Sequence, residues 1–378
     1  MSWKIPLFKS YNDEDDINSV NKVIRRGTYW AAGPEINEFE ENIKKFIGTK
    51  YALVFNSGTS ALHSLFLACE IGKGDEVIVP SFTFIATANT PLFVGAKPVF
   101  ADIERKTYAL DPEDVKNKIT KKTKAIMPIH YGGCPALYIE ALKEIAEDHK
   151  ILLIEDAAQS MGSKIKDEKT GTFGDAAMFS LCQDKMITTG EGGIIVTNSK
   201  EYYEHMKLIR SHGRAESSNY FSSTDLMDYV SIGYNFRMPT IIAALGNSQL
   251  NKINKTISIR QENAEKYTNK LSKVKDIFTP FIPENYFHVY QKYTIQMKDL
   301  HRDKLMEFLK NKGVFTKAYF GLPVHLTKFY RQKFGYEEGM LPETEYLAKR
   351  VLTLPMFPDL KEEEIIYITD SIKEYFEG

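Results

Sequence analysis

Apolar Ile17, Val20 and Ile24 recur at intervals of three and four between about Asp13 and Arg26, so the spacing predicts an α-helix with that face buried and Gly27 at its end. A second helix of the same kind is expected over Glu35–Phe46. Beyond it the texture changes to short apolar or β-branched runs, each followed by a turn signal and a helical stretch: Tyr51–Phe55, Glu76–Val79, Pro98–Ala101, Ala125–Ile129 and Ile151–Ile154. Such alternation predicts repeated βαβ units around a mostly parallel sheet. Two further strands, Ala176–Ser180 and Ile194–Thr197, follow with little room for helices between them. The expectation is therefore seven strands, with hairpin-like or antiparallel pairing near the end. From about Ile253 a long polar helix (Ile257–Leu271), a strand (Tyr293–Met297) and helices near Arg302–Asn311 and Glu362–Phe376 predict a smaller α+β domain. Residues 1–252 and 253–378 are thus expected to form a large and a small domain.

Composition narrows the function. With 378 residues, 43% hydrophobic and 26% charged, the chain has the make-up of a globular protein large enough for two domains. Its formal net charge of −1, with basic residues scattered, gives no pull toward nucleic acid or anionic lipid. A small-molecule substrate fits better. Cys69, Cys134 and Cys182 lie far apart without metal or disulfide spacing, so neither a metal site nor a disulfide framework is expected. The amino terminus carries no apolar signal segment and no run reaches the length that spans a bilayer, which predicts a cytoplasmic protein.

In an open α/β sheet, ligands bind beyond the carboxyl ends of the strands, so the residues just after each run carry the chemistry. After the first comes Asn56-Ser57-Gly58-Thr59-Ser60 ahead of a helical stretch from Ala61 to Cys69. Glycine allows close backbone approach and free helix-start amides favour a phosphate, although a plain helix cap has the same residues. Asp156 ends the run Ile151–Ile154 within Glu155-Asp156-Ala157-Ala158-Gln159. A carboxylate there needs a partner; a protonated pyridine nitrogen is one candidate, and a capping role is the other. Lys185 lies in a turn-rich loop between two apolar runs, ahead of Gly190-Glu191-Gly192-Gly193. An amine in such a place is suited to attack an aldehyde.

Taken in order along the chain, Ser57-Gly58-Thr59, Pro80-Ser81-Phe82-Thr83-Phe84, Glu155-Asp156-Ala157-Ala158-Gln159, Gly174-Asp175 and Lys185 with its glycine-rich tail resemble the DegT/DnrJ/EryC1/StrS family of sugar aminotransferases. So do Gly27–Pro34, His212-Gly213, Gly233–Arg237 and Pro323-Val324-His325, which makes the likeness nearly full length. The resemblance implies the fold type I architecture of pyridoxal 5'-phosphate (PLP) enzymes. By the same resemblance Lys185 would hold PLP covalently and later carry a proton between substrate and cofactor. Asp156 would hold the pyridine nitrogen, Gln159 would lie against the ring's phenolic oxygen, and Phe84 would stack on the ring. Gly58, Thr59 and Ser180 would bind the phosphate, with Asn235 reaching it from the neighbouring subunit of an obligate homodimer. His325 is a candidate for substrate contact. His130 is expected only to satisfy a backbone carbonyl.

Two features bear on the substrate. Cys182-Gln183-Asp184 departs from the aromatic or histidine and small residues that family members carry before the lysine. The tail Ile187-Thr188-Thr189-Gly190-Glu191-Gly192-Gly193 resembles members that aminate C4 of nucleotide-linked 4-keto-6-deoxy sugars, with glutamate as donor and a perosamine- or viosamine-like product. Alternatives are C3 amination, transamination of a keto-cyclitol, and a regulatory protein that binds PLP without turnover. Lysine at position 185, where related dehydratases carry histidine, argues against deoxygenation.

Overall fold

Short runs of aliphatic residues bounded by polar turns are too brief for helices and bury best between two helical layers. In the computed structural model, which describes residues 3–215, 223–224 and 226–377, seven of them form one sheet. The strands are β1 (Tyr51–Phe55), β2 (Glu76–Pro80), β3 (Lys97–Ala101), β4 (Thr123–Ile126), β5 (Leu152–Asp156), β6 (Ala176–Ser180) and β7 (Gly193–Thr197). Their spatial order is β1-β7-β6-β5-β4-β2-β3. All neighbours run parallel except β7, which is antiparallel to both β1 and β6. The mixed, mostly parallel sheet and its reversed last strand match the pattern read from the sequence. Strand β4 stops earlier than expected because Pro128 has no N–H for the ladder. Past that point pairing with β5 continues as an isolated bridge, Asp156 N donating to Pro128 O at 2.9 Å and His130 N to Asp156 O at 3.2 Å.

The register of β7 places the site. Gly193 faces Phe55 of β1 on one side and Ser180 of β6 on the other. The loop 181–192 therefore leaves and re-enters the sheet at the carboxyl ends of β1 and β6. A Cβ at Gly193 would lie 2.3 Å from the carbonyl oxygen of Ser57 and 2.6 Å from Gly58 N. Space, not backbone conformation, demands glycine there. Gly193→Ala is expected to cost about 1–3 kcal/mol by overpacking, read as a lower denaturant midpoint. It is also expected to weaken PLP retention, because the displaced atoms belong to the first turn of the helix Gly58–Ala68.

The first helix forms as Glu14–Arg26, with Asp13 in a capping box and Gly27 in the left-handed conformation at φ 74°. Its buried face differs from the expectation. Asp16 and Val23 point inward, whereas Ile17 is 48% and Ile24 44% exposed. The helix is rotated because its neighbour, the helix Thr240–Asn251, supplies a polar partner: Gln249 Nε2 donates to the Asp16 carboxylate at 2.8 Å, and Lys252 lies 3.0 Å from it.

A second core surrounds the three-stranded antiparallel sheet of Ile277–Phe278, Tyr293–Met297 and Val351–Leu354. Ile5 packs into it beside Tyr267, Leu305 and Ile368. Between the last two of these strands the chain returns to the large sheet, where Val324, Tyr330 and Leu341 join its core. The segment before the helix Glu14–Arg26 and the segment 315–320 thus both reach the carboxyl edge of the large sheet. Among the described residues no helix is long and apolar enough to cross a membrane.

Candidate active site

The carboxyl ends of β1, β2, β4, β5 and β6 and the loop after β6 converge on a cavity of about 520 Å³. It opens where the sheet's carboxyl edge meets the amino-terminal residues Leu7 and Phe8 and the segment 315–320.

After β1, the Ser57 side chain caps the helix Gly58–Ala68. Ser60 N donates to Ser57 Oγ at 3.1 Å, and Ser57 N donates to Ser60 Oγ at 3.2 Å. The capping reading of this motif is therefore correct, and it leaves the phosphate reading intact. Gly58 and Thr59 line the cavity, and the amides of a helix's first turn have no acceptor within the helix. A Cβ at Gly58 would stand 3.0 Å from Met178 Sδ, so the backbone itself forms this wall. Ser180, at the end of β6, lies opposite. Together these groups offer N–H and O–H donors suited to a phosphate.

Asp156 ends β5 and is 7% exposed. Its Oδ2 accepts from Thr87 Oγ1 at 2.7 Å and its Oδ1 from Ala158 N at 3.2 Å. No helix follows, so it is not a helix cap. Burial raises its pKa above the ordinary carboxylate value, opposed by the two hydrogen bonds and by the charges of Lys185 and His130. Among the described residues it has no ion-pair partner within bonding distance. A buried carboxylate with donors but no cation, lining a cavity, fits a cationic ring nitrogen.

Gln159 Oε1 accepts from Gly132 N at 2.8 Å, which leaves its amide N–H groups to donate to a ligand oxygen. Phe84, at the amino end of the helix Ile85–Phe93, lines the cavity while 61% exposed. An apolar ring so placed suits stacking on a flat ligand.

Lys185 sits in the loop 181–192, which is stapled shut. Leu181 N donates to Gly192 O at 2.9 Å, Thr189 N to Leu181 O at 3.0 Å, and Thr189 Oγ1 to Glu191 O at 2.8 Å. The Thr-Thr-Gly-Glu-Gly-Gly tail thus makes a rigid platform. The Lys185 side chain is 15% exposed and its Nζ lies 3.4 Å from Asp184 Oδ1.

Seven of the residues expected from sequence, Gly58, Thr59, Phe84, Asp156, Gln159, Ser180 and Lys185, line this one cavity. Asn235 and His325 do not. Asn235 is exposed, and its carbonyl accepts from Asn56 Nδ2 at 3.3 Å, just outside the phosphate motif. His325 is 0% exposed. Its Nδ1 bonds Ser81 Oγ at 2.7 Å and its Nε2 bonds Glu345 at 3.2 Å, so both nitrogens are engaged in packing and it is left out of the site. His130 also departs from expectation. Ala136 N donates to its Nδ1 at 2.9 Å, so Nε2 carries the proton and donates to Glu155 at 2.8 Å rather than to a backbone carbonyl.

Three contributors were not foreseen. Thr87 lies one turn after Thr83 and bonds it at 2.7 Å; that i, i+4 pair of hydroxyls bracketing Phe84 was the available signal. Lys292, which pairs with Asp184 at 3.1 Å, carries no local signal. Neither does the segment with Lys317 and Tyr319, which enters from the small core.

The profile of the DegT/DnrJ/EryC1/StrS aminotransferase family matches residues 10–373. The GDP-perosamine synthase of Vibrio cholerae is 35% identical over 375 residues, covering 98% of this chain and 99% of its own length. The spore coat polysaccharide biosynthesis protein SpsC of Bacillus subtilis is 32% identical over 386 residues, covering 100% and 97%. Among solved structures, Helicobacter pylori PseC, an aminotransferase involved in the biosynthesis of pseudoaminic acid, superimposes with a TM-score of 0.91 at 30% identity over 99% of both chains. Spr1654 from Streptococcus pneumoniae in its PLP form superimposes with a TM-score of 0.92 at 25% identity, over 99% of this chain and 98% of its own.

Proposed function

Because this chain belongs to the DegT/DnrJ/EryC1/StrS aminotransferase family, we propose that it is a PLP-dependent sugar aminotransferase that moves an amino group from glutamate to C4 of a nucleotide-linked 4-keto-6-deoxy sugar. One observation carries this reading: an amine, a buried carboxylate with no cation in bonding distance among the described residues and a helix-start cradle, drawn from three separate segments, line one cavity. That donor set fits PLP, whose aldehyde, ring nitrogen and phosphate call for those three groups.

PLP, when bound, supplies an aldehyde to receive the amino group and a ring that withdraws electrons from the reacting carbon. Lys185 would supply the amine that holds the aldehyde of PLP, and its free amine would hold and move the proton at the substrate carbon. Asp156 keeps the ring nitrogen protonated, and Thr87 with Ala158 N fixes the orientation of its carboxylate. Gly58, Thr59 and Ser180 would hold the phosphate, Gln159 would donate to the phenolic oxygen, and Phe84 would cover one face of the ring. The preference for C4 is supported by the Ile187–Gly193 tail and by the 35% identity to GDP-perosamine synthase.

We assign the working enzyme to the cytoplasm as a homodimer with shared sites. Asn235 supports the dimer: it is exposed beside Asn56 and absent from its own cavity, a position from which it serves a neighbouring subunit.

Incubation with glutamate and a panel of GDP-, UDP- and dTDP-linked 4-keto-6-deoxy sugars, followed by mass spectrometry and NMR, is expected to give a product with its amine on C4. An amine on C3, or turnover with inososes alone, would overturn the assignment.

A further inference from the structure

The segment 315–320 brings into the cavity a cation that the proposed chemistry leaves unused. Lys317 lines the cavity and is exposed. An exposed lysine is ordinarily a solvated charge, and its setting distinguishes this one. Its backbone is fixed: Lys317 N donates to Thr353 O at 3.2 Å, and Thr353 N donates to Lys317 O at 2.8 Å. Two residues earlier, Phe315 N donates to Ile5 O at 2.9 Å and the Phe315 ring stacks on Trp3, centroids 4.8 Å apart. Two residues later, Tyr131 Oη donates to Tyr319 O. The lysine stem therefore swings from a rigid base.

Tyr319 relates this cation to the reacting end of the cavity. Lys317 Nζ lies 4.9 Å from the centroid of the Tyr319 ring, and Lys292 Nζ lies 4.3 Å from the same centroid. Lys292 in turn lies 3.1 Å from Asp184, the neighbour of Lys185. Lys317 thus stands one aromatic ring away from the group beside the amine. The carboxylates lining the cavity are otherwise engaged. Asp184 is shared by Lys185 and Lys292, Asp156 accepts from Thr87 and Ala158 N, and Glu191 accepts from Cys182 Sγ at 3.7 Å. Among the described residues no carboxylate lies within ion-pair distance of Lys317.

We infer that Lys317 is the substrate-anchoring residue of this cavity: its ammonium pairs with the oxyanion that a substrate carries away from its reacting carbon, the side-chain carboxylate of the amino donor or the diphosphate of the sugar. The inference rests on the aminotransferase reading, in which one cavity admits two anionic substrates in turn. A compact ammonium with three donors on a flexible stem can meet a carboxylate or a phosphate at different depths. Between the rings of Phe8, Phe84, Phe315 and Phe320, which also line the cavity, such a pair is screened less than on open surface.

The two halves of the reaction test this separately, each followed by cofactor absorbance in the full chain. The PLP-loaded enzyme is mixed with L-glutamate or with L-norvaline, which keeps the chain length without the carboxylate. The aminated enzyme is then mixed with the nucleotide-linked 4-keto-6-deoxy sugar that the parent accepts. Lys317→Met is expected to raise the half-saturating concentration of the substrate it anchors by roughly tenfold. The limiting rate should stay within about twofold, norvaline should be unaffected, and Lys317→Arg should recover most of the loss. A loss confined to glutamate assigns the carboxylate, a loss confined to the sugar assigns the diphosphate, and a loss in both assigns the two in turn. In the parent the same half-saturating concentration should rise with salt, and in Lys317→Met it should rise less. A merely structural role would lower thermal stability and the limiting rate without that salt dependence. Unchanged half-saturation in both halves, or a loss that norvaline shares or that arginine fails to recover, would overturn the proposal. A parent that exchanges no amino group with glutamate or any of the sugars removes the aminotransferase reading and this one with it. A parent that does, beside an unaltered Lys317→Met, removes the anchoring role alone.

Discussion

Replacing Lys185 with alanine is expected to lower turnover by about 10³-fold or more, because the amine that attacks the carbonyl and then moves the proton has no substitute in line with the substrate. The fold should survive. The Lys185 side chain lines the cavity, and Asp184 keeps Lys292 at 3.1 Å after the change, so Asp184 is not left without a cation. The stability change is accordingly expected to stay within about 1 kcal/mol. Lys185→Arg separates charge from chemistry, since it restores a cation beside Asp184 but supplies no nucleophile. It should be as inactive as the alanine variant and as stable as the parent. Steady-state rates with glutamate and the accepted sugar, set beside thermal unfolding, check both halves. Near-parental turnover in Lys185→Ala would remove the mechanism, and a reduced adduct found on Lys292 would identify the amine responsible.

The parts of this site that could be read from the chain share one property: each lies within a few residues of a strand's carboxyl end. Once β5 and β6 are recognised, parallel pairing brings Asp156 and Ser180 together, and Gly58 joins them because β1 points the same way one strand beyond β7. The Lys185 loop joins them because β7 returns antiparallel between β1 and β6. Lys292 could not be found in this way. It precedes a strand of another sheet, and only the packing of the two cores carries it to Asp184. His325 shows the converse. Its neighbourhood has a family-like sequence, but the ring is turned into the Ser81–Glu345 contact, and direction is not encoded by sequence neighbours alone. Within the fold, Tyr51–Phe55 and Ala176–Ser180 match their expected bounds because polar turns flank each. The strand Val351–Leu354 and the helices Lys328–Phe334 and Pro342–Ala348 were not anticipated; elements of four to seven residues are too short for periodicity to separate from loop.

Asp156→Asn is expected to produce two effects of opposite sign, and their combination distinguishes a cofactor partner from a structural carboxylate. In the protein without PLP, burial raises the Asp156 pKa, so the ionised form is disfavoured. A carboxyl whose folded pKa lies above its unfolded value stabilises the fold below the unfolded value and loses that contribution as pH rises through the folded one. At neutral pH an ionised Asp156 thus costs stability, and asparagine removes that cost. The asparagine can keep its partners, because Thr87 can turn its hydroxyl toward Thr83 at 2.7 Å and accept from the new amide. The PLP-free variant should therefore unfold no lower than the parent, and its stability should depend less on pH. With PLP present the order reverses. The ring nitrogen loses its anionic partner, a loss of about 3 kcal/mol or more for a broken buried pair, which corresponds to on the order of 10²-fold in turnover. The rise in unfolding temperature on adding PLP should shrink accordingly. Thermal unfolding of both proteins across pH, with and without PLP, measures each term. A variant that is less stable without PLP yet gains as much from it as the parent would show that Asp156 serves the fold and not the cofactor.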